Sequence, residues 1–352
     1  MQPLKLFVLF FLFISPNLNA QIFPDLNGQA LLDQLVATYK PVHVLSYSDA
    51  RDTMYAVIYN VEDSVRGVYS DHALYLPPNV DPSQFLHMNG SANGINAEHA
   101  WPRSKGASEE NGNAFSDLHH LFPARAAVNE SRSNFPFAEI PDISTQKWFY
   151  KTQALTSVPA NNIDKYSERA NGRFEPKEDQ KGNVARAMFY FYTMYKAEAD
   201  DADPGYFEIQ RQALCQWHYQ DPADQLEEER NWLIASYQDG KPNPYILDCT
   251  LAARTFCGDV PPSCPLTNIF ENNGNNIDIA ISPNPANNEI SLSNIPGQPA
   301  YSMAVYSVLG QKILFDNNWD NGPINIGKLI PGQYFIILKN NKKTYSGRFV
   351  KN

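Results

Sequence analysis

A chain of 352 residues, 43% of them apolar, is long enough for two hydrophobic cores and too apolar for wholesale disorder. Its formal charge of −10 excludes broad, tight electrostatic binding of a polyanion. The acidity is uneven, however. Residues 191 to 250 hold 4 Lys/Arg against 12 Asp/Glu, whereas residues 99 to 190 hold 12 against 11, which leaves room for a local basic face.

In chain order, Lys5 precedes the apolar run Leu6 to Ile14, and small residues lead to Ala20. A basic flank, a run too short to span a bilayer and a small terminal residue describe a signal peptide over residues 1–20. No later stretch is apolar for long enough to cross a membrane, so the mature protein is expected to be exported, soluble and monomeric, with no transmembrane segment. Asp25 to Tyr39 has the spacing of an amphipathic helix through Leu31, Leu32, Leu35 and Val36. Ala56 to Val61 and Arg66 to Ser70 read as two strands. Ile95 to Trp101 and Phe115 to Phe122 read as two more, followed by a helix that Pro123 opens and Pro136 bounds. Further helices are expected over Asn183 to Ala197, Leu214 to Tyr219 and Leu226 to Tyr237, the last opened by Asp221-Pro222. Four cysteines, Cys215, Cys249, Cys257 and Cys264, favour disulfides in an exported chain, with three connectivities open. Zinc is the rival, without a C-x-x-C pair to support it. Residues 269–276 form a polar linker, and 277–352 carry short alternating segments separated by turns, the pattern of a small β-sandwich.

Polar chemistry concentrates in one window. Glu98-His99 stands before Trp101-Pro102, Asp117-Leu118-His119-His120 follows, and Asn129 and Arg132 lie three apart on one helix face. A carboxylate and a carboxamide oxygen suit a hard divalent cation. A neutral imidazole can take a proton from water, and a guanidinium can grip a phosphate. On this reading Glu98 and Asn129 are the metal ligands, His99 the base and Arg132 the phosphate contact. Neighbours on a strand point to opposite faces, so Glu98 and His99 serve one centre only if the strand bends or ends beside Trp101-Pro102.

These residues resemble the bacterial endonuclease I family, with its ββα-metal (His-metal finger) site. The resemblance rests on Glu98-His99 with Trp101-Pro102-Arg103-Ser104, on Asp117 to Leu121, and on Val128-Asn129 with Arg132-Ser133-Asn134. It continues in order through Phe174-Glu175-Pro176, Lys181 to Arg186, Asp221-Pro222, Glu229-Arg230-Asn231 and Asn243-Pro244-Tyr245, covering roughly residues 30 to 250. It implies an α+β fold, mostly helical, over residues 21–268, and sequence-nonspecific cleavage of DNA, often also RNA, leaving 5′-phosphates. Mg²⁺ is the implied cofactor, with Ca²⁺ the other candidate. Arg103 and Arg186 are candidate substrate contacts, and Asp117, His119 and Glu175 supporting residues; bracing by a pair with Glu175 is the other reading of Arg186. The tail resembles a type IX secretion sorting domain through Ile281 to Ala286, Val305 to Gln311 and Leu329 to Tyr334, which implies passage through that machinery to the cell exterior. Two other functions stay open: a zinc hydrolase using His99, His119 and His120, although no H-E-x-x-H helix is present, and a non-catalytic extracellular binding protein.

Overall fold

The computed structural model describes residues 21–88, 93–264, 276–293, 295, 301–307, 312–329, 331–339 and 344–352. The expected signal peptide, and the expected linker apart from Asn276, lie outside these residues.

Helix α1 (Gly28–Tyr39) buries Leu31, Leu35 and Tyr39, the face its spacing predicted. Helix α2 (Tyr47–Thr53) starts where the Ser46 hydroxyl accepts from the Asp49 N–H. It runs on through a widened turn at Met54–Ile58, closed by Tyr59 N–H donating to the Met54 carbonyl at 2.9 Å. Ala56 to Ile58 are therefore helical, not strand. Their β-propensity is overridden because continuing the helix buries Met54 and Tyr55. Strands begin only at β1 (Asn60–Val61), which forms an antiparallel sheet with β2 (Ser64–Arg66) and β3 (Ala73–Tyr75). Helix α3 (Pro82–Met88) follows.

The polar window is built on β4 (Ile95–His99) and β5 (Leu121–Arg125), paired antiparallel with Ile95 opposite Arg125 and His99 opposite Leu121. Between them the extended segment expected over Phe115 to Phe122 is instead a short helix, α4 (Asn113–Ser116), and a tight turn at Leu118–His120. Helix α5 (Ala126–Arg132) starts three residues later than Pro123 suggested. Pro123 lies inside β5, tolerated at the edge of a two-stranded ladder, and its carbonyl accepts from Val68 N–H at 2.9 Å.

A four-stranded sheet that the sequence did not announce follows, in the order β7 (Gln153–Leu155), β6 (Lys147–Tyr150), β8 (Ser167–Ala170), β9 (Arg173–Glu175). Helix α6 (Lys181–Met194) is apolar almost all round and buried from Val184 to Met194 apart from Tyr192, as a central helix must be. It precedes α7 (Lys196–Ala202) and packs on α8 (Glu208–Gln220). A side chain at Gly182 would meet the Asp221 carbonyl oxygen at 1.8 Å, so only glycine lets the start of α6 approach the end of α8. Helix α9 (Gln225–Ala235) is capped by Asp224, whose carboxylate accepts from Glu227 N–H at 2.7 Å, rather than opened at Asp221-Pro222. Helices α10 (Pro244–Leu247) and α11 (Thr250–Thr255) complete this part. Disulfides Cys215–Cys257 and Cys249–Cys264 tie α8 and the α10–α11 connection to the irregular chain beyond.

The C-terminal part is all β. One sheet runs β10 (Asn276–Asp278), β17 (Thr344–Lys351), β16 (Gly332–Lys339), β13 (Tyr301–Ser307), β14 (Lys312–Trp319). The other runs β11 (Ala280–Ser282), β12 (Glu289–Ser293), β15 (Ile324–Asn325). Ile290 and Ile324 from the small sheet and Val305, Ile336 and Phe349 from the large one share a core.

Candidate active site

Alternation along β4 puts Asn96 and Glu98 on one face. Helix α5 lies across it. The Asn129 amide nitrogen donates to Asn96 Oδ1 at 2.8 Å and to the Ala97 carbonyl at 3.2 Å, and Arg132 Nε stands 3.3 Å from Glu98 Oε1. The Tyr69 hydroxyl donates to the same carboxylate oxygen at 3.0 Å. Glu98 Oε2 and Asn129 Oδ1 are left without a hydrogen bond among the described residues. Carboxylate and carboxamide oxygens held from behind in this way are the donor set a hard divalent cation takes. Burial pushes the Glu98 carboxyl up to about 7, against the Arg132 guanidinium and the Tyr69 hydroxyl, which favour the charged form.

His99 occupies the other face. Its Nε2 lies 2.9 Å from the Phe115 carbonyl, which can only accept, so Nε2 carries the proton and Nδ1 the lone pair. The ring contacts Tyr47, Phe115 and His120. Burial, then the neighbouring His120, lowers its pKa to about 3, keeping the imidazole neutral. Pairing is regular through His99, and the chain bends at Ala100 and Trp101. The bend therefore falls after His99, and within the strand Glu98 and His99 keep opposite faces.

Arg132 differs from expectation. It is 1% exposed, with Nη1 donating to the carbonyls of His99 and Ser133 and Nη2 to that of Ala100, while the guanidinium covers the Phe137 ring. Its nitrogens are turned to protein oxygens and away from any phosphate at the surface; it fixes the end of β4. Arg186 is equally buried, and its partner is Glu227 through Nε and Nη2, not Glu175. Glu175 pairs instead with Lys181 Nζ at 2.7 Å, and burial raises its carboxyl to about 8. Arg103 is exposed over the Phe115 ring, in a loose 3.4 Å pair with Glu110.

Asp117 is a buried hub. It accepts from the hydroxyls of Tyr190 and Tyr195, the Gln238 amide and the His119 N–H, all within 3.0 Å. His119 Nε2 is held by the Lys241 carbonyl and His120 Nε2 by that of Ala114. The three imidazoles are thus each committed to a different carbonyl, and no group of three His, Cys, Asp or Glu able to hold a metal occurs among the described residues. Among the described residues, then, His99, His119 and His120 are not gathered as a three-ligand metal site. Asn96, Tyr69 and Phe115 escaped notice in the sequence. Only Asn96 left a signal, its two-residue spacing from Glu98 on a strand.

A carboxylate, an amide oxygen and a neutral imidazole thus stand near one strand end, beside a helix. Residues 28–249 match the family described as Endonuclease I, and the chain belongs to that family. Residues 280–352 match the secretion system C-terminal sorting domain, the mark of a secreted protein. An extracellular ribonuclease of Bacillus subtilis (strain 168) is 30% identical over 177 residues, 47% of this chain and 55% of that protein. An extracellular deoxyribonuclease of Aeromonas hydrophila is 31% identical over 141 residues, 40% of this chain and 53% of that protein. The chain spans about half the length of the curated relatives it matches. No helix among the described residues is long and apolar enough to cross a membrane.

Proposed function

We propose that the protein is a secreted, sequence-nonspecific endonuclease that hydrolyses phosphodiester bonds of DNA, and of RNA as well, leaving 5′-phosphate ends. The observation that carries this reading is the Nε2 contact of His99 with the Phe115 carbonyl, which leaves Nδ1 as a base in a ring that burial keeps neutral. His99 takes the proton of the attacking water at Nδ1. Glu98 Oε2 and Asn129 Oδ1 would hold a divalent cation, Mg²⁺ or Ca²⁺, while Tyr69, Arg132 and Asn96 orient those ligands from behind. Such an ion supplies charge neutralisation at the phosphate and the departing oxygen. Arg103 meets the backbone from the exposed side of Phe115. Arg132 is a positioning residue, and Arg186 with Glu227 holds α6 to α9. Residues 21–268 form the catalytic domain, and 277–352 the address read by the type IX machinery.

The relatives' printed names, ribonuclease for one and deoxyribonuclease for another, support a site that tolerates either sugar. The experiment is a cation titration of cleavage with the ends mapped. Glu98→Gln and Asn129→Ala are expected to raise the cation concentration for half-maximal cleavage by roughly 10- to 100-fold. An unchanged requirement in both variants, or 3′-phosphate products from the wild type, counts against the proposal.

A further inference from the structure

The His99 ring is flanked by two aromatic side chains, and each carries an arginine. Tyr47 lies 5.6 Å from the His99 ring and Phe115 lies 5.1 Å from it, centroid to centroid, and the two rings touch each other edge to face at 4.6 Å. The Arg103 guanidinium sits 4.6 Å above Phe115, and that of Arg51 sits 4.8 Å above Tyr47. The two arginines therefore cover adjoining rings, Arg51 on Tyr47 and Arg103 on Phe115.

Arg51 differs from most other cations near the window. Lys105 is paired with Asp203, Arg132 with Glu98 and Lys177 with Asp71. Arg51 has no carboxylate partner among the described residues. The nearby carboxylates are turned elsewhere, Asp49 to Ser46 and Asp52 to Ser83. Its Nε is buried with no hydrogen-bond acceptor. A half-buried guanidinium left uncompensated in an acidic chain is costly unless an anion arrives, and stacking on a ring fixes the plane of its fork for a bidentate acceptor. The Arg103–Glu110 pair is exposed on both sides and so contributes little, leaving Arg103 free to exchange that carboxylate for a phosphate.

We propose that Arg51 on Tyr47 and Arg103 on Phe115 form a two-arginine clamp for the nucleic-acid phosphates on either side of the bond attacked at His99. Tyr47 is then a double support, packing the base with its ring and holding Arg51 in place. This rests on the nuclease reading above and adds to it a binding residue, Arg51, on a helix that contributes nothing to the metal ligands.

The test is binding of a fluorescent 20-base-pair duplex to the mature protein in EDTA, between 50 and 200 mM NaCl, together with steady-state cleavage in Mg²⁺. Arg51→Ala is expected to flatten the slope of log affinity against log salt by about 0.9, one phosphate contact, and Arg51→Ala/Arg103→Ala by about twice that. Arg51→Lys should restore most of the slope, since the charge is kept. In cleavage Arg51→Ala is expected to raise KM several-fold with kcat nearly retained. An Arg51→Ala protein that binds with the wild-type slope while kcat falls overturns the clamp and makes Arg51 a prop for Tyr47. A wild type that binds and cleaves alongside such a variant leaves the nuclease reading standing; a wild type that does neither removes both.

Discussion

Glu168 shows how one buried carboxyl makes stability depend on pH. It lies on β8, nearly inaccessible, and accepts a hydrogen bond from the Thr145 hydroxyl. Burial raises its pKa to about 7, with Asp142 adding to the effect. A folded-state value above the unfolded one means the folded protein holds the proton more tightly. The resulting stability is complete below about pH 4.5 and is lost as pH rises through about 7. Glu168→Gln, which cannot ionise, is therefore expected to stabilise the protein by on the order of 1 kcal/mol at pH 8.5 and to change little at pH 5. Thermal melts at the two pH values check this, and a larger gain at pH 5 would reverse the sign of the argument. Asp117, also buried, is a structural junction. Four donors, from Tyr190 on α6, Tyr195 just after it, the turn at residue 119 and Gln238, converge on it, so it joins three segments that are far apart in sequence.

At the scale of elements, the Cys215–Cys257 bridge closes a 42-residue separation between α8 and the chain after α11. Chain-entropy reasoning assigns such a loop about 4 kcal/mol at most. Cys215→Ala/Cys257→Ala should accordingly lower unfolding free energy by roughly 2–4 kcal/mol in denaturant titrations; no loss would mean the bridge only decorates a packed interface. Much of this level could be read beforehand. Helix α1, the centre of α6 and most tail strands have one strong periodicity each, and their apolar positions are the buried ones. The misread places share a physical cause. Ala56 to Ile58 prefer strand locally and are held helical by burial of Met54 and Tyr55, and Pro123 suits a helix start and a ladder edge equally. The four-stranded sheet β6–β9 was missed because its strands are only three or four residues long. The window of Glu98, His99 and Asn129 was visible as chemistry. The sequence could not show that Arg132 faces three backbone carbonyls, because direction is a tertiary property.

Across the whole molecule, a net charge of −10 is compatible with the proposed site for an anionic polymer because the acidity lies mostly outside residues 99–190. Among the described residues, the core of the all-β tail shares no residue with the cores around His99. Deleting residues 277–352 is expected to leave the protein in the periplasm with its cleavage activity intact, as read by fractionation and a zymogram; normal export of the truncated chain would refute the address role. Nicking of supercoiled plasmid by the mature protein decides whether His99 is the base at a cation-dependent phosphodiester site. Wild type should nick in Mg²⁺ and stop in EDTA, and His99→Ala should cut roughly 10²- to 10⁴-fold more slowly while binding the plasmid equally well. A His99→Ala protein that nicks at the wild-type rate would exclude His99 as the base.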